Sequence, residues 1–334
     1  MDNQHSFTTV VFEPRLDPVV AGALTARAAG EDTDLLVFSS ENLPQFFSPG
    51  VQRTLPSGYA LVLCGQTVVR TDWDGRLVRP EVMRCLRSFV GVVRWFSDRS
   101  WHPEDRRAVA HMIGEGKLVL TGPSESLAEV VYEAQPREDD LYGQKLVDFA
   151  TGRLPEDQEE EWGAPLRRML SALKSDHRAL ARAAADLARA ELDEVLERES
   201  ERARRVEAEN AQFARENASE PLQVGENKLL WLRLPPDRHP FWAEISREAR
   251  RLADADFSLC RLEGRPVLLL SGTEDPRVDL RDWARYVTDM LPAAETVGAR
   301  SSVVPLVVNG LRTEPALENE VLRLLKDGAH LLRG

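Results

Sequence analysis

The sequence predicts an α/β fold: a parallel-sheet N-terminal domain, a long helical linker or arm, and a smaller α/β C-terminal domain. Three observations predict it. Over the first 150 residues, β-branched apolar runs alternate with Ala/Leu-rich runs, the pattern of strands joined by crossover helices. From Gln158 to Asn217 only Gly163 and Pro165 interrupt a helical pattern. From about Gln223, short strand-like and helix-like segments resume. The boundaries are therefore 1–152, 153–221 and 222–334, and 334 residues suit that division at roughly 100–200 residues per domain.

The elements follow in order. The run Phe7 to Phe12 is β-branched and reads as a buried strand. Val19 to Ala29 reads as a helix after a turn containing proline. Asp34–Phe38 and Tyr59–Leu63 are the next strands. Pro80 to Phe89 has helical spacing with proline in the first turn. Val90–Phe96 is the fourth strand. Pro103 to Ile113 is a helix with Glu104 and Asp105 at its positive N-terminal end. Lys117–Leu120 is a short strand and Ser124–Tyr132 a helix. Parallel sheets carry their sites beyond the carboxyl ends of the strands, so the loops after Phe12, Leu63 and Phe96 are where chemistry is expected.

In the middle region, Leu166, Met169, Leu170, Leu173, Leu180, Leu187, Leu192, Val195 and Leu196 describe one helical stripe. Beyond Leu196 the stripe thins to Val206 and Phe213, while residues 191–220 hold ten acids and five arginines. That stretch reads as a solvated helix, or as an arm that pairs with a protein partner or a second copy of the chain. In the last third, Asn227–Leu234 is a strand, Phe241–Asp254 a helix, and Asp256–Leu262 with Pro266–Ser271 a hairpin. Val278–Met290 is a helix, Ser302–Val308 a strand placed at an edge because of Pro305, and Glu314–Leu332 the closing helix.

Composition narrows the function. Lys and Arg number 43 against 55 Asp and Glu, a net charge of -12. A surface this acidic disfavours nucleic acid and anionic membranes. No apolar run spans a bilayer and the N-terminus carries no export signal, so a cytoplasmic protein is expected. Three widely spaced cysteines fit a reducing compartment and form no metal motif.

The layout resembles the DHH phosphoesterase superfamily, which includes RecJ-type exonucleases, oligoribonucleases, cyclic-dinucleotide phosphodiesterases and exopolyphosphatases. The resemblance implies a parallel α/β domain, a helical linker and a small DHH-associated domain. Active members hold two divalent cations, usually manganese, which clamp the attacking and leaving oxygens. The family's first motif is His, three residues, Asp, one residue, Asp. The matching stretch has Glu13 for the His, Asp17 for the first Asp and Val19, which cannot ligate, for the second. At the second motif, Leu63 runs into Cys64-Gly65-Gln66 with no acid. Asp-His-His becomes Ser97-Asp98-Arg99, followed by Trp101. The C-terminal glycine signature becomes Thr296-Val297-Gly298-Ala299-Arg300.

The resemblance thus implies a degenerate member. Glu13, Asp17 and Asp98 are the possible oxygen ligands if Mn2+ or Mg2+ binds; otherwise no cofactor is expected. His102 lies too far along to replace a motif histidine without a loop folding back. Across the interdomain cleft of the family, Ser97, Arg99, Gly298 and Arg300 are candidates for anion binding. Alternatively each arginine replaces a metal's charge by pairing with Asp17 or Asp98. Cys64 has no base beside it and reads as core. Three functions follow: a pseudoenzyme acting as a protein-interaction or regulatory scaffold through the 158–217 region, a metal-dependent phosphoesterase or nuclease with a rebuilt site, or a noncatalytic nucleotide or anion sensor.

Overall fold

The computed structural model of the chain describes residues 7–30, 32–47, 60–69, 77–99, 101–122, 125–135, 140–272, 280–296, 303–310 and 315–332. Gly298 and Arg300 lie outside them. The chain divides into two compact units, 1–204 and 205–334.

The first unit is built on a parallel sheet of order β2-β1-β3-β4-β5. Its strands are β1 (Thr8–Phe12), β2 (Thr33–Val37), β3 (Ala60–Cys64), β4 (Val92–Ser97) and β5 (Leu118–Leu120). β1 and β3 are buried along both faces, as strands covered on both sides must be. On one face, Val11, Leu61, Leu63, Val93 and Trp95 share a core with Phe46, Phe47, Val82, Leu86 and Val109. These come from α2 (Leu43–Phe46), α3 (Arg79–Ser88) and α4 (Pro103–Ile113), with Phe47 directly after α2. The other face is covered by α1 (Leu16–Ala29), whose Gly22 faces the Phe12 ring at a distance where even a Cβ would sit 2.8 Å from it.

Against α1 pack α5 (Leu127–Ala134), α6 (Leu141–Thr151) and α8 (His177–Ala188), and α8 also reaches β2. Here the structure departs from the single stripe read over 158–217. A π-helical turn at Glu159–Gly163 leads into α7 (Ala164–Ala172), and then come α8 and α9 (Leu192–Asn217). Asp176 breaks the run by capping α8, accepting the Ala179 amide at 3.0 Å, and Ala190 breaks it again with φ 65°. Leu166, Leu170, Leu173, Leu180 and Leu187 are fully or almost fully buried, so these helices complete the core of the first unit.

The second unit carries a mixed sheet of order β10-β11-β9-β8-β7-β6. Its strands are β6 (Leu222–Val224), β7 (Asn227–Leu234), β8 (Phe257–Leu262), β9 (Val267–Gly272), β10 (Ala294–Thr296) and β11 (Val303–Val308). β7 and β8 are parallel, joined by the crossover helix α10 (Trp242–Ala253); β8 and β9 form the expected hairpin. α11 (Leu280–Met290) and α12 (Pro315–Asp327) place Trp283, Val287, Val321 and Leu324 against Leu259, Leu268, Leu270 and Leu306. The edge position expected for Pro305 is corrected: β11 lies between β9 and β10. Among the described residues β10 pairs with Leu306–Val308, and Pro305 has its ladder partner, Leu269, on the β9 side. No helix among the described residues is long and apolar enough to cross a membrane.

Candidate functional site

Parallel register brings the ends of three strands into one row. Phe12 pairs with Cys64, and Cys64 with Phe96. The ladder extends one step further, the Glu13 amide donating to Cys64 O at 3.1 Å and the Gly65 amide to Phe96 O at 2.9 Å. Glu13, Gly65 and the Ser97–Arg99 turn therefore stand side by side, at the point between β1 and β3 where the sheet order reverses.

An ion-pair lattice fills this point. Arg15 donates Nη1 and Nη2 to the two Asp98 oxygens, each at 2.7 Å, and Nε to Glu13 Oε2 at 2.8 Å. Its Nη2 also reaches Gly65 O at 3.3 Å. Arg99 donates Nη2 to the same Glu13 oxygen at 2.8 Å. The other Glu13 oxygen accepts the Ser40 amide at 3.2 Å and the Ser40 hydroxyl. Both oxygens of both carboxylates are thus engaged. Two carboxylates face two guanidiniums, so the cluster is neutral. Burial alone would push the Glu13 and Asp98 carboxyls up; the arginine charges, with the Ser40 bond on Glu13, outweigh it and hold both below the usual range.

The other expected residues are placed as follows. Asp17 turns away from Glu13 and Asp98. It accepts the Ser126 hydroxyl at 2.8 Å and the Leu127 and Ala128 amides at 2.7 and 2.9 Å, capping α5 from outside, since Ser126 makes no capping bond of its own. Ser97 is buried, and its hydroxyl accepts the Arg99 amide at 3.2 Å and Trp101 Nε1 at 3.1 Å. It shapes the turn that carries Arg99, assisted by the edge-on contact of Trp95 with Trp101. His102 caps α4 at an exposed position, accepting the Glu104 amide. Cys64 is fully buried and its thiol is pushed up to about 12 by burial, which leaves no thiolate for nucleophilic attack.

The pairing of arginine with acid also differs in detail from expectation. Asp98 is held by Arg15, which sequence reasoning passed over, and Arg99 pairs with Glu13. The available signal was Arg15 itself, lying between Glu13 and Asp17 in the first motif.

No family model matches this sequence, and no curated protein matches it. Solved structures do. RecJ of Thermus thermophilus, solved with Mn2+, superposes with a TM-score of 0.60 at 11% identity, over 97% of this chain and 52% of that one. The DHH domain of a member of the s1p family of ribosomal proteins gives 0.61 at 11%, over 98% and 87%. The chain has the DHH phosphoesterase fold. The pGpG-specific phosphodiesterase PggH of Vibrio cholerae shares that fold at 0.51 and 11% identity, over 96% of this chain and all of that one. The present chain spans about half the length of the Thermus RecJ chain.

The manganese of that RecJ structure gives a test of the donor set here. A DHH-type metal pair needs several free carboxylates and imidazoles. Among the described residues no three His, Cys, Asp or Glu side chains come together in a way that could hold an ion. Glu13 and Asp98 are saturated by arginine, Asp17 is committed to α5, and Val19 and Cys64 occupy other motif positions. The residues present do not fit a metal pair.

The capping assignment has a consequence for stability. Asp17→Asn keeps the side chain's size but replaces one acceptor oxygen and the charge facing three donors. It is expected to lower the unfolding free energy by about 1–2 kcal/mol. Urea titration of the full chain measures it.

Proposed function

We propose that this chain is a catalytically degenerate DHH phosphoesterase-like protein that works as a protein-interaction or regulatory scaffold. The observation that carries this reading is the bidentate grip of Arg15 on Asp98. A guanidinium stands against the acid of the Asp-His-His position, so a hydrolytic metal would have to break the strongest contact of the cluster. The lattice keeps the strand ends joined without metal.

The partner is proposed to be a protein, docking on the 158–217 region. Because α7 and α8 bury their apolar faces in the first unit, the surface that remains for it is the charged side of α9, with Glu194, Glu197, Glu201, Arg204, Glu207 and Arg215 exposed. Its alternating charges favour a polar protein surface over a phosphate backbone. A homodimer through the same helix would show as a concentration-dependent mass in sedimentation.

Hydrolysis assays test the proposal. The full chain with Mn2+ is incubated with oligonucleotides, a cyclic dinucleotide and polyphosphate, beside Asp98→Asn. The expected result is no turnover above the metal-only blank for either protein. Turnover by the wild type that Asp98→Asn abolishes would establish instead a working metal-dependent phosphoesterase.

A further inference from the structure

On the α10 side of the second sheet, three hydroxyls meet. Ser246 of α10, Ser258 of β8 and Ser271 of β9 are each at most 4% exposed. Ser271 lies 2.9 Å from both of the others, and Ser246 also bonds Ser258. Arg250, one turn after Ser246, places Nη1 on this triangle, at 2.6 Å from Ser271, 3.0 Å from Ser258 and 3.4 Å from Ser246. Three hydroxyls can donate to one another around the triangle and still offer lone pairs to Nη1, so that end of the guanidinium is fixed by neutral groups alone.

Nothing anionic faces Arg250 among the described residues. Glu248, the nearest carboxylate along the helix, is gripped by Arg251 at 2.7 and 2.9 Å. Arg247, exposed and one turn back, adds positive charge. The Cys260 thiol beside the cluster is held neutral by burial. The last turn of α10 favours a cation through its dipole, but supplies only a partial charge. Arg250 is partly exposed, and its Nε and Nη2 bond to no described residue. These two nitrogens form the edge of a guanidinium whose N–H groups run parallel, the edge that grips two oxygens at once.

We propose that Arg250, seated on Ser246, Ser258 and Ser271 and supported by Arg247, anchors a binding site in the second unit for a small phosphate-class oxyanion. The fixed Nη1 pre-orders the side chain, so little rotamer entropy is lost when the anion arrives. The site is independent of the lattice around Arg15 and does not depend on whether that lattice hydrolyses anything.

The test is calorimetric titration of the full-length chain with inorganic phosphate, at ionic strength held constant with chloride. A parallel titration uses ribose 5-phosphate, which separates a free anion from a phosphomonoester as the preferred form. Arg250→Lys keeps the charge and removes the fork; Arg247→Gln changes an exposed residue and leaves the fold intact. The expected result is saturable binding to the wild type by at least one probe, weakened about tenfold or more in Arg250→Lys and about threefold in Arg247→Gln. If circular dichroism shows Arg250→Lys unfolded, the Arg247→Gln comparison decides. No saturable binding of either probe, or binding unchanged in the folded variants, would overturn the proposal.

Discussion

Replacing Arg15 with Met is expected to lower the unfolding free energy by about 3 kcal/mol or more, the range for removing one partner of a buried ion pair. The side chains of Glu13 and Asp98 are only 4% and 13% exposed; Asp98 would lose its bidentate partner, and Glu13 one of its two arginines. Asp98 keeps some access to water, which places the effect near the lower end of that range. The double variant Arg15→Met, Asp98→Asn removes the stranded charge, leaves Glu13 with Arg99, and is expected to recover most of the loss. The dependence on pH has a definite sign. Both carboxyls are held below their usual range in the folded chain. They therefore contribute stability that is present above the unfolded carboxylate pKa, and that is lost as pH falls through the depressed folded value. The deficit of Arg15→Met is accordingly expected to be full at pH 7 and to shrink toward pH about 3, where the stranded Asp98 takes up a proton. Urea unfolding of wild type and variant at the two pH values measures both statements; an equal deficit at both would contradict them.

Gly65→Ala is expected to be about as severe, for a different reason. Gly65 has φ +91°, and a Cβ there would lie 2.5 Å from Pro18 Cγ, 2.9 Å from Pro18 Cβ and 3.1 Å from Arg15 Nη2. The backbone conformation alone costs an L-residue about 1–2 kcal/mol. Overpacking against a proline ring fixed in the first turn of α1 adds about 1–3 kcal/mol. Gly264→Ala is the control: its φ is +73° and nothing lies within 4 Å, so only the backbone cost applies. Thermal unfolding of the two variants should therefore show the larger drop for Gly65→Ala. Equal drops would mean that the Pro18 ring moves aside at little cost.

The strand ends were legible in the sequence because their determinants are local. Runs such as Thr8–Phe12 and Ala60–Cys64 declare buried strands, and parallel order then places Glu13 and Asp98 together. The breaks in the 158–217 region were less legible, although Asp176 is a capping residue; a continuous stripe of leucines masks a turn that depends on one side-chain bond. What the sequence hid were partners distant along the chain. Arg15 meets Asp98 across 83 positions, and Asp17 meets the α5 amides across 110 and 111. Nothing in the spacing of Glu13, Arg15 and Asp17 distinguishes which of them enters the centre and which turns to a helix end. The missing N–H of Pro305 points to an edge, yet β11 lies inside the sheet, because strand order depends on pairings that a single residue type does not report.

Manganese titration of the chelator-stripped, full-length chain, followed by calorimetry, tests most directly whether the strand-end centre is closed. With Glu13 and Asp98 held by Arg15 and Arg99, the expected result is no tight binding, with Glu13→Gln and Asp98→Asn indistinguishable from the wild type. Two tightly bound ions per chain, lost in those two variants, would contradict a centre held by arginine in place of metal.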